Sequence, residues 1–258
     1  MFKILLILSF IMTVCSYGEV LIAPKTQEDF GETSKVKVSD EGIARGVDRL
    51  VACKEKFPID PAALYRISGE FKKADGVQAA KVSGMIGTMQ YDAKGRVIGG
   101  IQNAFLPGSE AKVLKAVSPG DKTMEIEINK AWCDVIMKSN KRRYAVFLFA
   151  KKDFSDMPSF SFCWIERQFI ENGRIILTAA NFPAVPAGSL VRLHANGWVC
   201  NGVEVKATDE WQQTSVDIRG VSAKASLRQW WKGAAQGTLA IYGKDVLFRN
   251  IKIEKIEE

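Results

Sequence analysis

The chain holds a single histidine among its 258 residues, and this restricts the chemistry open to it. Any Ser–His or Cys–His nucleophile would have to work through His194. Ser189 and Cys200 lie near it in sequence, yet neither sits in a nucleophile elbow such as G-x-S-x-G. His194 falls instead in the alternation V-R-L-H-A, which places it on a strand face shared with Arg192 as a structural residue. Glycoside hydrolysis needs only two carboxylates, roughly 5 to 10 Å apart. Glu70, Asp92 and Glu204 lie in or beside expected strands, where exposed strand-edge charge is the plainer reading. No P-loop, dinucleotide fingerprint or EF-hand spacing is present. No C-x-x-C pair accompanies the lone histidine, which argues against zinc.

Aromatic residues are the better lead. A sugar ring presents an apolar face that stacks on an aromatic side chain, while its hydroxyls need planar polar partners such as Asn, Gln, Asp and Arg. The candidates are Trp132, Trp198, Trp211, Trp230 and Trp231, with Tyr91 and Tyr242. Trp230 and Trp231 sit between Arg228 and Lys232 in an otherwise polar stretch. Neighbours in an extended strand face opposite ways, so at most one of this pair would be core. The expected ligand contacts are Trp230, Trp231, Trp198 and Trp132, with Arg192 as a hydrogen-bonding cation. Core or rim packing competes with ligand contact at each of them.

The elements that would position these residues read as strands. LYRISGEF (64–71), VSGMIGTMQYD (82–92) and RVIGGIQNAFL (96–106) form a meander broken by short turns. MEIEI (124–128) alternates with period two, and YAVFLFA (144–150) is short and wholly apolar, as a strand buried on both faces would be. SFCWIERQFI and RIILTAA flank Asn172-Gly173, a hairpin signal. Glycines 84, 87, 99 and 100 fall inside such runs and point to bulges or tight packing. Helical spacing is scarce. Residues 41–56 could make about three turns, with Ile43, Val47, Leu50 and Val51 on one face and Asp40 as N-cap, although Gly42 and Gly46 oppose it. Many short strands and little helix argue for an all-β sandwich or barrel.

Two stretches carry a family likeness. FPIDPAALYRISGEFKKADG with GTMQYDAKGRVI, and DEWQQTSVDIRG with GTLAIYGKDVLFRNIKIEKI, resemble secreted galactose-binding-like or carbohydrate-binding modules of polysaccharide-degrading bacteria. Arg249 stands where an acidic residue would be usual in the final strand. The resemblance covers about 55–258 and implies a jelly-roll-like antiparallel β-sandwich. Residues 112–194 look like a small β element inserted into it. In similar modules a Trp placed as Trp211 is usually a packing residue. Many hold a structural calcium; Asp245 and Glu70 are conceivable ligands here, but no calcium-loop spacing supports them.

The N-terminus places Lys3 before an apolar run, 4–14, followed by the small residues Ser16 and Gly18. This is the pattern of a signal peptide over 1–18, cleaved after Ser16 or Gly18. About eleven residues are too few for a helix to span a bilayer of roughly 30 Å, so no transmembrane anchor is expected. A lipoprotein site at Cys15 fits less well, because Val14 precedes it. Residues 19–54 read as an N-terminal segment, loose to about Ser39. Export leaves Cys53, Cys133, Cys163 and Cys200, which allow two disulfides in any of three pairings or four buried thiols. The net charge of +7 becomes +6 without Lys3, and its dispersal suits a solvated surface and counts against nucleic acid.

The expectation is thus a secreted or periplasmic, non-catalytic module that binds polysaccharide with micromolar or weaker affinity, without a cofactor. A cell-surface assembly protein using the sandwich for protein contacts is the first alternative. A polysaccharide hydrolase or lyase is the second.

Overall fold

The structure, a computed structural model, describes residues 18–32, 36–39, 44–46, 50–138, 143–197, 200–222 and 226–257. It is an all-β, jelly-roll-like antiparallel sandwich with a second, smaller β lobe inserted into it. All of the expected signal peptide except Gly18, and Trp198, lie outside the described residues.

The front sheet of the main sandwich contains β1 (Gly18–Ile22), β2 (Val36–Val38), β3 (Ala44–Gly46), β6 (Leu64–Lys73), β17 (Gln212–Ile218) and β21 (Val246–Ile256). Its order is β17-β6-β21-β3-β2, with β1 also on β21. The back sheet contains β4 (Val51–Ala52), β5 (Phe57–Pro58), β7 (Val82–Tyr91), β8 (Val97–Ile98), β16 (Asn201–Ala207) and β20 (Gln236–Tyr242), in the order β16-β7-β20-β4. Here β5 joins β20 and β8 joins β7. The steps β6 to β7, β16 to β17, β17 to β20 and β20 to β21 each cross between the sheets, whereas β7 and β16 are neighbours in the back sheet.

Strand β6 shows how alternation builds that core. Tyr65, Ile67 and Phe71 point inward and are buried, while Arg66, Ser68, Glu70 and Lys72 point outward. Val216, Phe248 and Ile253 extend the inward layer, and Ile86, Val205, Leu239 and Ile241 meet it from the back sheet. Gly87 lies opposite Gly202, and a Cβ there would collide with the carbonyl of Asn201. Close packing therefore explains that strand glycine.

The second lobe has its own core, drawn from residues 111–195, close to the expected insertion at 112–194. One sheet runs β12 (Phe162–Trp164), β11 (Tyr144–Leu148), β15 (Leu190–Ala195), β9 (Ala111–Lys112). The other runs β10 (Thr123–Glu127), β14 (Arg174–Thr178), β13 (Arg167–Glu171). All five residues of β11 are buried, as its unbroken apolar run requires. Asn172 and Gly173, with φ of 48° and 73°, make the expected two-residue hairpin turn between β13 and β14.

The lobes meet where the 149–161 loop rests on the main sandwich. Lys232 Nζ donates to the Phe154 carbonyl at 2.8 Å, and the Arg96 guanidinium lies 3.9 Å from the Phe160 ring centre. Gly233, at φ +82°, lies against Pro158, and a Cβ there would come within 2.5 Å of the proline ring.

Three expectations need correction. The helix over 41–56 is replaced, in its described part, by β3 and by β4 (Val51–Ala52), because backbone pairing with β21 and β20 outweighs a weak helical stripe. The segment to Ser39 is not loose where it is described: β1 pairs with the last strand, and Phe30 is buried beside Cys53. The second lobe also contains the helix α1 (Lys130–Lys138). Asn129 Oδ1 accepts from the backbone of Ala131 at 2.9 Å, and Trp132 and Val135 enter the core.

All four described cysteines are free thiols. Burial pushes Cys53 and Cys200 up to about 12, so neither ionises near neutral pH.

Candidate functional site

The tryptophans singled out for stacking are mostly interior. Trp230 is fully buried between the sheets, edge-on to Tyr65 at 5.1 Å and Phe57 at 6.1 Å. Trp231 is 1% exposed, and its indole N–H donates to the Ser226 carbonyl at 2.7 Å. Both members of the pair are buried, because the stretch before them folds over the outward side of β19 (Trp230–Trp231), which pairs with β18 (Val221–Ser222). Trp132 fills the second core and donates to the Ser109 carbonyl. None of these rings has a face open to a sugar.

Arg192 is also fully buried. Its Nε reaches Glu110 at 3.1 Å, Nη1 and Nη2 reach Asp156 at 3.3 and 3.2 Å, and Nη2 donates to the Lys151 carbonyl at 2.6 Å. The guanidinium lies 4.4 Å from the Phe154 ring centre. Arg192 therefore organises the 149–161 loop rather than meeting a ligand.

His194 is buried beside it, stacked on Phe147 with centroids 3.7 Å apart. A carbonyl cannot donate, so the 2.7 Å contact with Ile101 fixes the proton on Nδ1. Nε2 is buried without a partner. Desolvation lowers its pKa to about 4 from 6.5, Arg192 adding to the shift and the Ile101 carbonyl opposing it. The unfolded chain takes up this proton first as pH falls, so the stability held above pH 6.5 is lost between 6.5 and 4. The expected loss is roughly 3 kcal/mol. Urea titrations across pH 7 to 4.5 check this: the decline should flatten in His194→Gln, and an unchanged slope would contradict it.

The open surface is the outward side of the front sheet, where strand register sets the side chains in rows. Gln213, Glu70 and Arg249 form one row across β17, β6 and β21. Ser215, Ser68 and Lys252 form the next, followed by Asp217, Arg66 and Glu254. Trp211 stands at the end of β17 and remains partly exposed. The Arg249 guanidinium lies 4.1 Å from its ring centre, and Lys72 Nζ lies 5.5 Å away. Arg249 is itself held by Glu70, through Nε at 2.9 Å and Nη2 at 2.6 Å. Asn250 donates to the other Glu70 oxygen at 2.8 Å, from a bulge in β21 where its φ is 51°.

The charges on this face are largely paired with one another. Arg66 binds Asp217 through two nitrogens, at 2.8 and 3.0 Å, and Lys252 meets Glu254 at 2.8 Å. Hydrogen bonds from Asn250 and Arg249 hold Glu70 below the ordinary carboxylate range, and Arg66 does the same for Asp217. These acids stay ionised at neutral pH, and neither is poised as a general acid. Among the described residues no group of three or more His, Cys, Asp or Glu could hold a metal ion. Glu70, one of the two conceivable calcium ligands, is engaged by Arg249 and Asn250.

The structure thus brings together Trp211, Arg249, Glu70, Gln213 and Asn250, a set that sequence reasoning did not assemble. The signal was the alternation of β6, whose outward residues from Arg66 to Lys72 are all polar, and the unusual Arg249. The remaining tryptophan, Trp164, is partly exposed on the edge strand β12, with Arg143 4.5 Å from its ring centre.

Fold and face together define a two-lobed all-β protein with one broad polar sheet face. No protein-family model, curated protein or solved structure matches this chain. The likeness to galactose-binding-like modules accordingly rests on the short motifs that carry it.

Proposed function

We propose that this protein is an exported, non-catalytic glycan-binding module whose polysaccharide ligand lies across the front-sheet face. The observation that carries the reading is the partly exposed Trp211, framed in register by Arg249, Glu70, Gln213 and Asn250. The part of the indole that Arg249 does not cover offers an apolar surface to a sugar ring. The planar groups around it, fixed by their mutual hydrogen bonds, offer donors and acceptors to hydroxyls with little further ordering.

The pairing of charges on the face favours a neutral glycan over a polyanion. Arg66, Arg249 and Lys252 each already have a carboxylate, so an anionic ligand there would have to displace one. Hydroxyls exchange well-made water contacts for protein contacts of similar quality, so affinity should be micromolar or weaker. The buried His194 and the ionised, paired acids support binding without turnover. The N-terminal pattern of Lys3, an apolar run and small residues supports secretion or delivery to the periplasm.

A glycan-array screen of residues 19–258, with and without calcium, tests the proposal. Binding to a neutral polysaccharide should change less than about threefold between 50 and 500 mM salt. Silence across neutral and acidic polysaccharides, from protein shown to be folded, would move the reading to a surface assembly role. Turnover of a bound polymer that disappears with a single acid would establish an enzyme.

A further inference from the structure

Strand β13 is the last strand of the three-stranded sheet β10-β14-β13, with α1 near it, and among the described residues it pairs only with β14. It carries no proline, glycine or lysine to blunt that edge, and Phe169 and Ile170 are 39% and 43% exposed. Glu171 and Arg174 flank a two-residue turn, so this pair exchanges both backbone hydrogen bonds. Alternation then turns the peptide groups of Phe169 and Arg167 toward β14, and those of Gln168 and Ile170 outward. The Thr178 carbonyl, opposite Arg167, agrees with this parity: it points at the β13 side and accepts from Glu166 at 2.8 Å.

We propose that β13 pairs antiparallel with β13 of a second copy of this chain, about a two-fold axis at Phe169. The two three-stranded sheets then join into one of six strands. Gln168 and Ile170 exchange backbone hydrogen bonds with Ile170 and Gln168 of the second copy, using the outward groups. Phe169 meets its own counterpart at a position without backbone hydrogen bonds, where opposed Cα atoms approach to about 4.5 Å.

Charge selects this register. It sets Arg167 opposite Glu171 of the second copy and Glu171 opposite the second Arg167, two ion pairs from one self-complementary strand. Centring the axis on Ile170 would instead set Arg167 opposite Gly173, and centring it on Gln168 would set Glu171 opposite Ile165. Neither alternative pairs the charges. The contact lies on the second lobe and stands apart from the glycan reading.

Sedimentation velocity of residues 19–258 from about 1 to about 500 µM tests it, in the range expected of a small interface. The wild type should move from monomer toward dimer as concentration rises. Arg167→Glu and Glu171→Arg should each weaken self-association at least about tenfold, and the double variant should restore it, because the swapped charges face each other again. Ile170→Pro removes an outward N–H that no described strand uses, so it should stay monomeric with an unchanged melting temperature. A wild type that stays monomeric throughout would overturn the proposal. So would a double variant no better than the single ones, or a dimer that survives Ile170→Pro.

Discussion

Replacing Trp230 with alanine should cost about 3–5 kcal/mol of folding stability, the range for removing a large aromatic side chain from a packed core. The indole is fully buried and touches Phe57 and Tyr65 edge-on, at the centre of the contact between the two main sheets. The surrounding strands belong to two hydrogen-bonded sheets and cannot close over the space. The cost should therefore include a cavity term beyond the lost transfer energy. In a chain of this size the melting temperature would fall by roughly 10 °C. Denaturant unfolding of wild type and variant measures the difference. A loss below about 1 kcal/mol would mean that the ring is not in the core.

Arg192→Met should be comparably severe, at about 3–5 kcal/mol, for a different reason. Removing the guanidinium leaves the Glu110 and Asp156 carboxylates facing a partly desolvated space without their cation, and it frees the Lys151 carbonyl. These groups hold the 149–161 loop, and that loop carries Phe154 and Phe160 onto the main sandwich. The variant should therefore also be cut faster by protease within the loop. Arg192→Lys should rescue it only in part, because an ammonium cannot reproduce the fork that serves both acids and the carbonyl. Limited proteolysis with denaturant titration reads both effects. An Arg192→Lys protein as stable and as protease-resistant as wild type would show that a point charge suffices.

Much of the architecture was legible in the chain, for reasons tied to particular segments. The period-two pattern of 64–71, the apolar run of 144–150 and the Asn172-Gly173 turn each carry one dominant local signal, and the fold obeys them except that the buried strand ends at Leu148 and Phe149 is exposed. The helix α1 was missed because MEIEI before it reads so clearly as strand. Asn129 as cap, with Trp132, Val135 and Ile136 at helical spacing, was nonetheless present in the sequence. The helix expected at 41–56 failed for the opposite reason. Its stripe was local, whereas pairing of β3 and β4 with strands some two hundred residues away decides the matter.

The site was less legible. Burial of a tryptophan depends on what covers the far side of its strand, and nothing around Trp230-Trp231 announces that both sides are covered. Trp211 read as packing because the resemblance implies a packing tryptophan at that place. Its partners Arg249, Asn250 and Glu70 lie on two other strands, and only the β6–β17 and β6–β21 registers bring them into one row. Cross-strand neighbours are invisible without register. The polar outward series of β6 was the available clue.

The most direct test of the glycan reading is affinity electrophoresis of wild type and Trp211→Ala through gels containing the polysaccharide that the screen identifies. Both proteins must first be shown to melt cooperatively. The wild type should be retarded, and Trp211→Ala should lose at least about tenfold in affinity, or about 1.4 kcal/mol. Retardation of the variant equal to that of wild type would contradict the placement of the ligand on the front sheet.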